Sequence, residues 1–122
     1  MIDIVPGRSE SFARLIAVWN GDAPLEELDS LVSLTYRGHV GRRDRDAVRL
    51  KQDIGAYRER MPGVRFTVEH QFAEGAHLAT RLTASAPAGR SGASTVCGLN
   101  ISRWEGRLLA EEWAVWETFS DD

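Results

Sequence analysis

The residues best placed to do chemistry cluster near the end of the chain, where positions 95–117 read TVCGLNISRWEGRLLAEEWAVWE. Two stretches of alternating character flank Glu105-Gly106, a turn dipeptide, so a β-hairpin is expected. A two-residue turn there sets Asn100 opposite Glu111, Gly98 opposite Trp113, Val96 opposite Val115 and Ser94 opposite Glu117. Side chains alternate along a strand, so these pairs share one sheet face. On that register Gly98 leaves space for Trp113, and an amide lies beside a carboxyl among apolar and aromatic neighbours. A poorly solvated carboxyl beside Trp113 should have a pKa raised toward neutrality. Such a group can remove a proton next to a carbonyl and return it elsewhere. Glu111 is the first candidate for this role, against the simpler reading of a carboxylate paired with an arginine. Glu117 is the alternative base, or else a rim residue near the chain end. The reverse face of the hairpin carries Cys97, Leu99, Ile101 and Arg103, with Leu108, Ala110, Glu112, Ala114 and Trp116.

Tyr36 and His39 straddle the end of the expected first strand. Either could donate to an enolate or carbonyl oxygen, although a loop histidine is more simply a surface residue. Arg81 could bind a substrate carboxylate or sit in an intramolecular ion pair. His70 alternates with Val68 and Phe72 and is expected on their face, as a ligand contact or a hydrogen-bonded core histidine. Trp113 is assigned to the pocket. Trp19 and Tyr57 are secondary contacts, since aromatics at such spacings usually pack. Three scattered histidines have no metal-ligand spacing, so neither a metal site nor a cofactor is expected. Arg37, Arg42, Arg43 and Arg45 alternate with Asp44 and Asp46 and read as a solvated face.

The elements that must position these groups can be read in order. Ser9 is a plausible N-cap for a helix whose stripe is Phe12, Leu15, Ile16 and Trp19, ended by Asn20-Gly21. A short helix spans 22–30, with Pro24 in its first turn. Residues 31–36 form a short strand and 37–43 a loop. Asp44 caps a third helix with Ala47, Leu50, Ile54, Tyr57 and Met61 inward, stopped by Pro62-Gly63. Val64 to Phe72 alternates as a strand and turns at Glu74-Gly75 into a partner over 77–86. Residues 86–93 are a hairpin loop, residues 1–7 a lead-in and 120–122 a polar tail.

Composition narrows the function. The 122 residues make one domain with one modest core. A net charge of −3 gives no electrostatic case for nucleic acid or an anionic membrane. Lys51 is the sole lysine against many arginines, which suggests a GC-rich bacterial genome. The single cysteine, Cys97, excludes an internal disulfide. No signal-peptide layout or membrane-length apolar run is present, so a cytoplasmic protein is expected. Helices first and long antiparallel strands after imply an α+β domain with helices on one sheet face.

In this order the pieces resemble the SnoaL-like polyketide cyclases of the nuclear transport factor 2-like superfamily. The resemblance rests on WNGD, LVSLTYRGH, RDRDAV, MPGVRFTVEHQFAEGAHLATRLTA and GLNISRWEGRLLAEEWAVWE, and covers almost the whole chain. It also rests on an acid-x-Trp-x-x-x-acid terminal strand, here Glu111, Trp113 and Glu117. It implies a cone-shaped α+β barrel, a curved, mostly antiparallel sheet packed on three N-terminal helices around an internal pocket. Departures are Glu117 where the group usually has Asp, Asn100 where it has His or Asp, and Arg81-Leu82-Thr83, which lacks the Asp of the epoxide-hydrolase relatives.

The function so implied is cofactor-free acid–base cyclisation or isomerisation of a hydrophobic carbonyl compound. Glu111 or Glu117 would move the proton, Tyr36, His39 or Asn100 would hold the oxygen, and Trp113 would press on the rings. A non-catalytic module binding a small ligand or a protein is the alternative reading. A homodimer through Leu99, Ile101, Ala114 and Trp116 is expected from the apolar back of the hairpin.

Overall fold

The computed structural model describes residues 7–87 and 95–118. The lead-in before Gly7, Ser94, most of the 86–93 loop and the 120–122 tail lie outside the described residues. Helix α1 (Arg8–Trp19) is capped by Gly7, whose carbonyl accepts from Glu10 and Ser11, rather than by Ser9. It buries Phe12, Leu15 and Val18 and leaves Ile16 and Trp19 at the margin of the stripe. A 3-10 helix follows at Leu25–Ser30. Helix α2 (Ala47–Arg60) is capped by Asp46, whose side chain accepts from the Arg49 amide at 2.9 Å. Asp44 was the expected cap. It lies instead in a strand and bonds His39.

Among the described residues the strands are β1 (Val32–Val40), β2 (Arg43–Arg45), β3 (Arg65–Glu74), β4 (His77–Ser85), β5 (Thr95–Glu105) and β6 (Leu108–Trp116). They form one sheet in the order β2-β1-β6-β5-β4-β3. Among these strands β1 and β6 pair in parallel and the other neighbours antiparallel. The expected loop at 37–43 is mostly strand, because β1 continues to Val40 and returns as β2. The sheet is open at β2 and β3 and does not close into a barrel. The helices cover one face, with Phe12, Leu15, Val18, Leu28, Leu50 and Ile54 against Tyr36, Leu78, Leu82, Trp104 and Leu109. Each such side chain contributes about 1.5–3 kcal/mol by leaving water. The Asn20 amide pins α1 to the exposed edge of β3, accepting from the Phe66 N–H at 2.7 Å and donating to its carbonyl at 3.1 Å. Among the described residues no helix is long and apolar enough to cross a membrane.

Two bulges decide which residues face inward. The central hairpin turns at Gly106-Arg107, one residue later than expected, with Gly106 at φ 62. That shift alone would move the register by two and preserve the faces. Between Arg103 and Trp104, however, β6 carries the extra residue Ala110, and beyond it the ladder pairs Ser102 with Glu112, Asn100 with Ala114 and Gly98 with Trp116. An inserted residue reverses the side-chain alternation. Glu112, Ala114 and Trp116 therefore join Asn100 on the inner face. Glu111, Trp113 and Val115 join Leu99, Ile101 and Arg103 outside, so the expected placement of Glu111 and Trp113 is corrected. In β3 the register slips at Glu69, so Phe66 and Val68 align with inward Ala84 and Leu82, whereas His70 and Phe72 pair with outward Arg81 and Ala79. His70 and Phe72 are exposed, against the expectation that they share the Val68 face.

Candidate active site

A cavity of about 650 Å³ lies between the inner sheet face and the two α-helices. One wall is aromatic. Trp19 packs edge-on to Tyr57 at 5.8 Å and beside Phe66 at 5.5 Å, and Phe66 stands edge-on to Trp116 at 5.6 Å. Trp116 fits there because Gly98 faces it with no side chain, since a Cβ at 98 would lie closer to the indole atoms than any non-bonded contact allows.

Among the described residues, the sheet side of the cavity carries one buried acid. Glu112 on β6 is 4% exposed. Its Oε1 accepts from Asn100 Nδ2 at 3.0 Å, and its Oε2 from Arg45 Nη2 at 3.2 Å and from the Tyr36 hydroxyl. Tyr36 reaches it across Gly38, which pairs with Glu112 in the parallel ladder. Burial, reinforced by the Glu112 charge, pushes the Tyr36 phenol far above its ordinary range, so it remains a protonated donor. Arg45 also donates from Nε to the Tyr36 oxygen at 3.2 Å and from Nη1 to Asp53 at 3.3 Å, and it lies 5.9 Å from the centre of the Trp19 ring. Its side chain is only 12% exposed, so Arg45 is not part of a solvated arginine face. Arg37, Arg42 and Arg43 are exposed.

The expected site residues divide between two faces. Asn100, Trp19 and Tyr57 line the cavity, and Tyr36 braces its acid. Glu117 lies just past β6, lines the cavity and accepts from the Cys97 N–H at 2.8 Å. Glu111, His39, Trp113, Arg81 and His70 lie on the outer face. There His39 Nε2 meets Glu111 at 2.8 Å, His39 Nδ1 meets Asp44 at 2.8 Å, and Trp113 stacks on His39 at 5.7 Å. The hydrogen bond from His39, with a further one from Arg103, holds the Glu111 carboxyl below its ordinary range, opposite to the rise expected for it. Arg81 contacts the Cys97 sulfur at 3.5 Å. Glu112, Arg45 and Trp116 are the cavity residues that alternation alone misses. The available signal is Leu108-Leu109-Ala110, an apolar run that breaks period two immediately before Glu111.

The chain matches no protein-family profile, and no curated protein matches it in sequence. Its fold is that of the SnoaL-like and NTF2-like proteins. IdmH, a proposed polyketide cyclase from Streptomyces antibioticus, superposes with a TM-score of 0.78 at 22% identity, over 90% of this chain and 91% of that one. A SnoaL-like polyketide cyclase from Agrobacterium tumefaciens gives 0.73 at 15% identity over 91% of each chain. An NTF2-like protein of unknown function from Cytophaga hutchinsonii gives 0.71 at 12% identity, over 96% and 95%.

Proposed function

We propose that the chain is a cofactor-free acid–base catalyst that cyclises or isomerises a hydrophobic carbonyl compound, in the manner of a polyketide cyclase. The observation that carries this reading is the acid Glu112, almost wholly buried on the wall of a partly aromatic cavity. A ring system lies against Trp19, Tyr57, Phe66 and Trp116. Glu112 takes the proton from the carbon beside the carbonyl and returns it at the new position. A guanidinium has five N–H groups, and Arg45 commits three of them to Tyr36, Asp53 and Glu112. The other two are available to the enolate oxygen as its charge develops. Tyr36 keeps its proton and fixes the carboxylate. The names of the structural relatives support the substrate class.

The test is α-proton exchange of 1-tetralone in D2O, followed by NMR. The wild type accelerates exchange, Glu112→Gln lowers the rate about 100-fold or more, and Glu111→Gln leaves it unchanged. Full activity in Glu112→Gln rejects the mechanism. A second reading, a non-catalytic binding module, is favoured by the three donors already directed at Glu112. It predicts retained ligand binding with no exchange above background in the wild type.

The assembly that goes with either reading is a homodimer through the outer sheet face. Leu99 and Val115 are each 58% exposed there, beside Ile101 and Trp113. Ala114 and Trp116, expected in that contact, face inward instead. Light scattering at micromolar concentration should give twice the chain mass, and Ile101→Glu should halve it. A wild-type monomer rejects the assembly.

A further inference from the structure

Among the described residues, the arginines lining the cavity are Arg43, Arg45, Arg49 and Arg60. Three of them are engaged. Arg45 bonds Tyr36, Asp53 and Glu112, Arg49 Nε donates to Asp53 at 2.9 Å, and the Arg60 guanidinium lies over the Tyr57 ring at 5.8 Å. Arg43 has no acid, carbonyl or ring against its guanidinium among the described residues. The acids of the same lining are taken: Glu112 by three donors, Asp53 by two arginines and Glu117 by the Cys97 N–H. Alternation along β2 fixes where Arg43 points. Arg45 reaches Glu112 on the inner face, and Asp44, between the two arginines, bonds His39 on the outer one. Arg43 therefore points inward, about 7 Å along the strand from Arg45. It pairs with Val40, which pairs in turn with Ala114, an apolar step beyond the Arg45–Glu112 pair. Unlike Arg45 it is exposed, so it stands where the cavity meets solvent.

We propose that Arg43 binds a carboxylate on the compound held in the cavity, so that the natural ligand is an amphipathic acid, apolar at one end and anionic at the other. This rests on the cavity being the binding site and narrows its substrate class. A guanidinium offers parallel N–H groups in a planar fork, which a carboxylate matches with two oxygens. The apolar end lies against Trp19, Tyr57, Phe66 and Trp116, and the charged end stays at the opening, where it need not lose all its water. Arg60, at the outer edge of the aromatic wall, adds positive potential from the helix side. Arg45 cannot take this role without giving up Glu112 or Asp53. Anchored on Arg43, the carboxylate lies about one pleat repeat, or 7 Å, from the Arg45–Glu112 pair, and that spacing selects which part of the ligand meets the buried acid.

The test uses two probes of nearly the same shape, 2-naphthoate and 2-naphthamide, which differ in charge. Isothermal titration on the full chain at neutral pH and low salt should show 2-naphthoate binding about fivefold more tightly. In Arg43→Gln the two probes should bind within about twofold of each other, with 2-naphthamide held as in the wild type. Arg107→Gln removes the same charge from the hairpin turn, at the end of the β5–β6 ladder away from Trp116, and should keep the preference. On the wild-type protein the Arg43 Nε–H resonance should move with 2-naphthoate and stay with the amide. That measurement decides the matter should Arg43→Gln fail to fold. Equal affinities on the wild type, a preference that survives in Arg43→Gln or is lost equally in Arg107→Gln, an unmoved Arg43 resonance, or no binding of either probe each overturns the proposal. Failure of the acid–base reading looks different: tetralone exchange would be indifferent to Glu112→Gln while the preference for the carboxylate remained.

Discussion

Gly98 stands directly across the β5–β6 ladder from Trp116, whose ring occupies the space where a side chain at 98 would begin. Gly98→Ala should therefore destabilise the fold by about 1–3 kcal/mol through overpacking, read from urea denaturation. Combining it with Trp116→Leu should cost less than the sum of the two changes, because each relieves the other's clash or void. Strict additivity would show that the indole does not depend on that glycine.

The second glycine of the site has a separable effect. A Cβ at Gly38 would lie 2.8 Å from Cζ of Tyr36 and closer still to its hydroxyl. Gly38→Ala should thus displace the phenol from Glu112 and lower exchange activity about as much as Tyr36→Phe. The double variant should be no worse than either single one. Wild-type activity in Gly38→Ala would contradict this geometry.

Arg45 and Glu112 form a buried ion pair, with side chains 12% and 5% exposed. Removing one partner of such a pair leaves an uncompensated charge and costs about 3–5 kcal/mol. Arg45→Met should lose stability on that scale, and adding Glu112→Gln should recover part of it. No recovery in the double variant would assign the loss to packing along the arginine stem.

The outer-face histidine gives a pH dependence of known sign. Hydrogen bonds to Asp44, and then to Glu111, raise His39 above its ordinary value of 6.5. Its stabilising contribution is therefore complete below that value and is lost as pH rises through the raised one. Glu111 is lowered from 4.5, so its contribution is present above that value and lost as pH falls through the lowered one. The melting temperature of wild type minus that of His39→Gln should be greatest between 4.5 and 6.5 and should shrink in alkali. A difference that grows with pH would contradict these contacts.

Much of the fold was legible because local chemistry sets it. The stripe of Phe12 and Leu15, that of Leu50 and Ile54, and the strand pair turning at Gly75 follow from spacing and turn residues. The site was legible only in part. Residue type and local pattern single out Asn100, Tyr36, Trp19 and Tyr57, and the structure sets all four in or beside the cavity. Period two carried through the hairpin puts Glu111 and Trp113 in the cavity, and it fails at Ala110, the unpaired residue that turns both outward.

The sequence by itself determined the kinds of group available: one run holding two adjacent acids, tryptophans on both parities, and glycines where a ring could pass close to the backbone. The tertiary structure decided which acid is buried. Neighbouring carboxylates on a strand point to opposite faces, and one bulged residue exchanges their roles without changing either amino acid. It also drew Arg45 from an apparently solvated cluster onto Glu112, because pairing of β1 with β2 turns that side chain toward the acid from a strand distant in sequence. Spacing along the chain cannot report a contact made by the parallel pairing of β1 with β6, since no local pattern links Gly38 to Glu112.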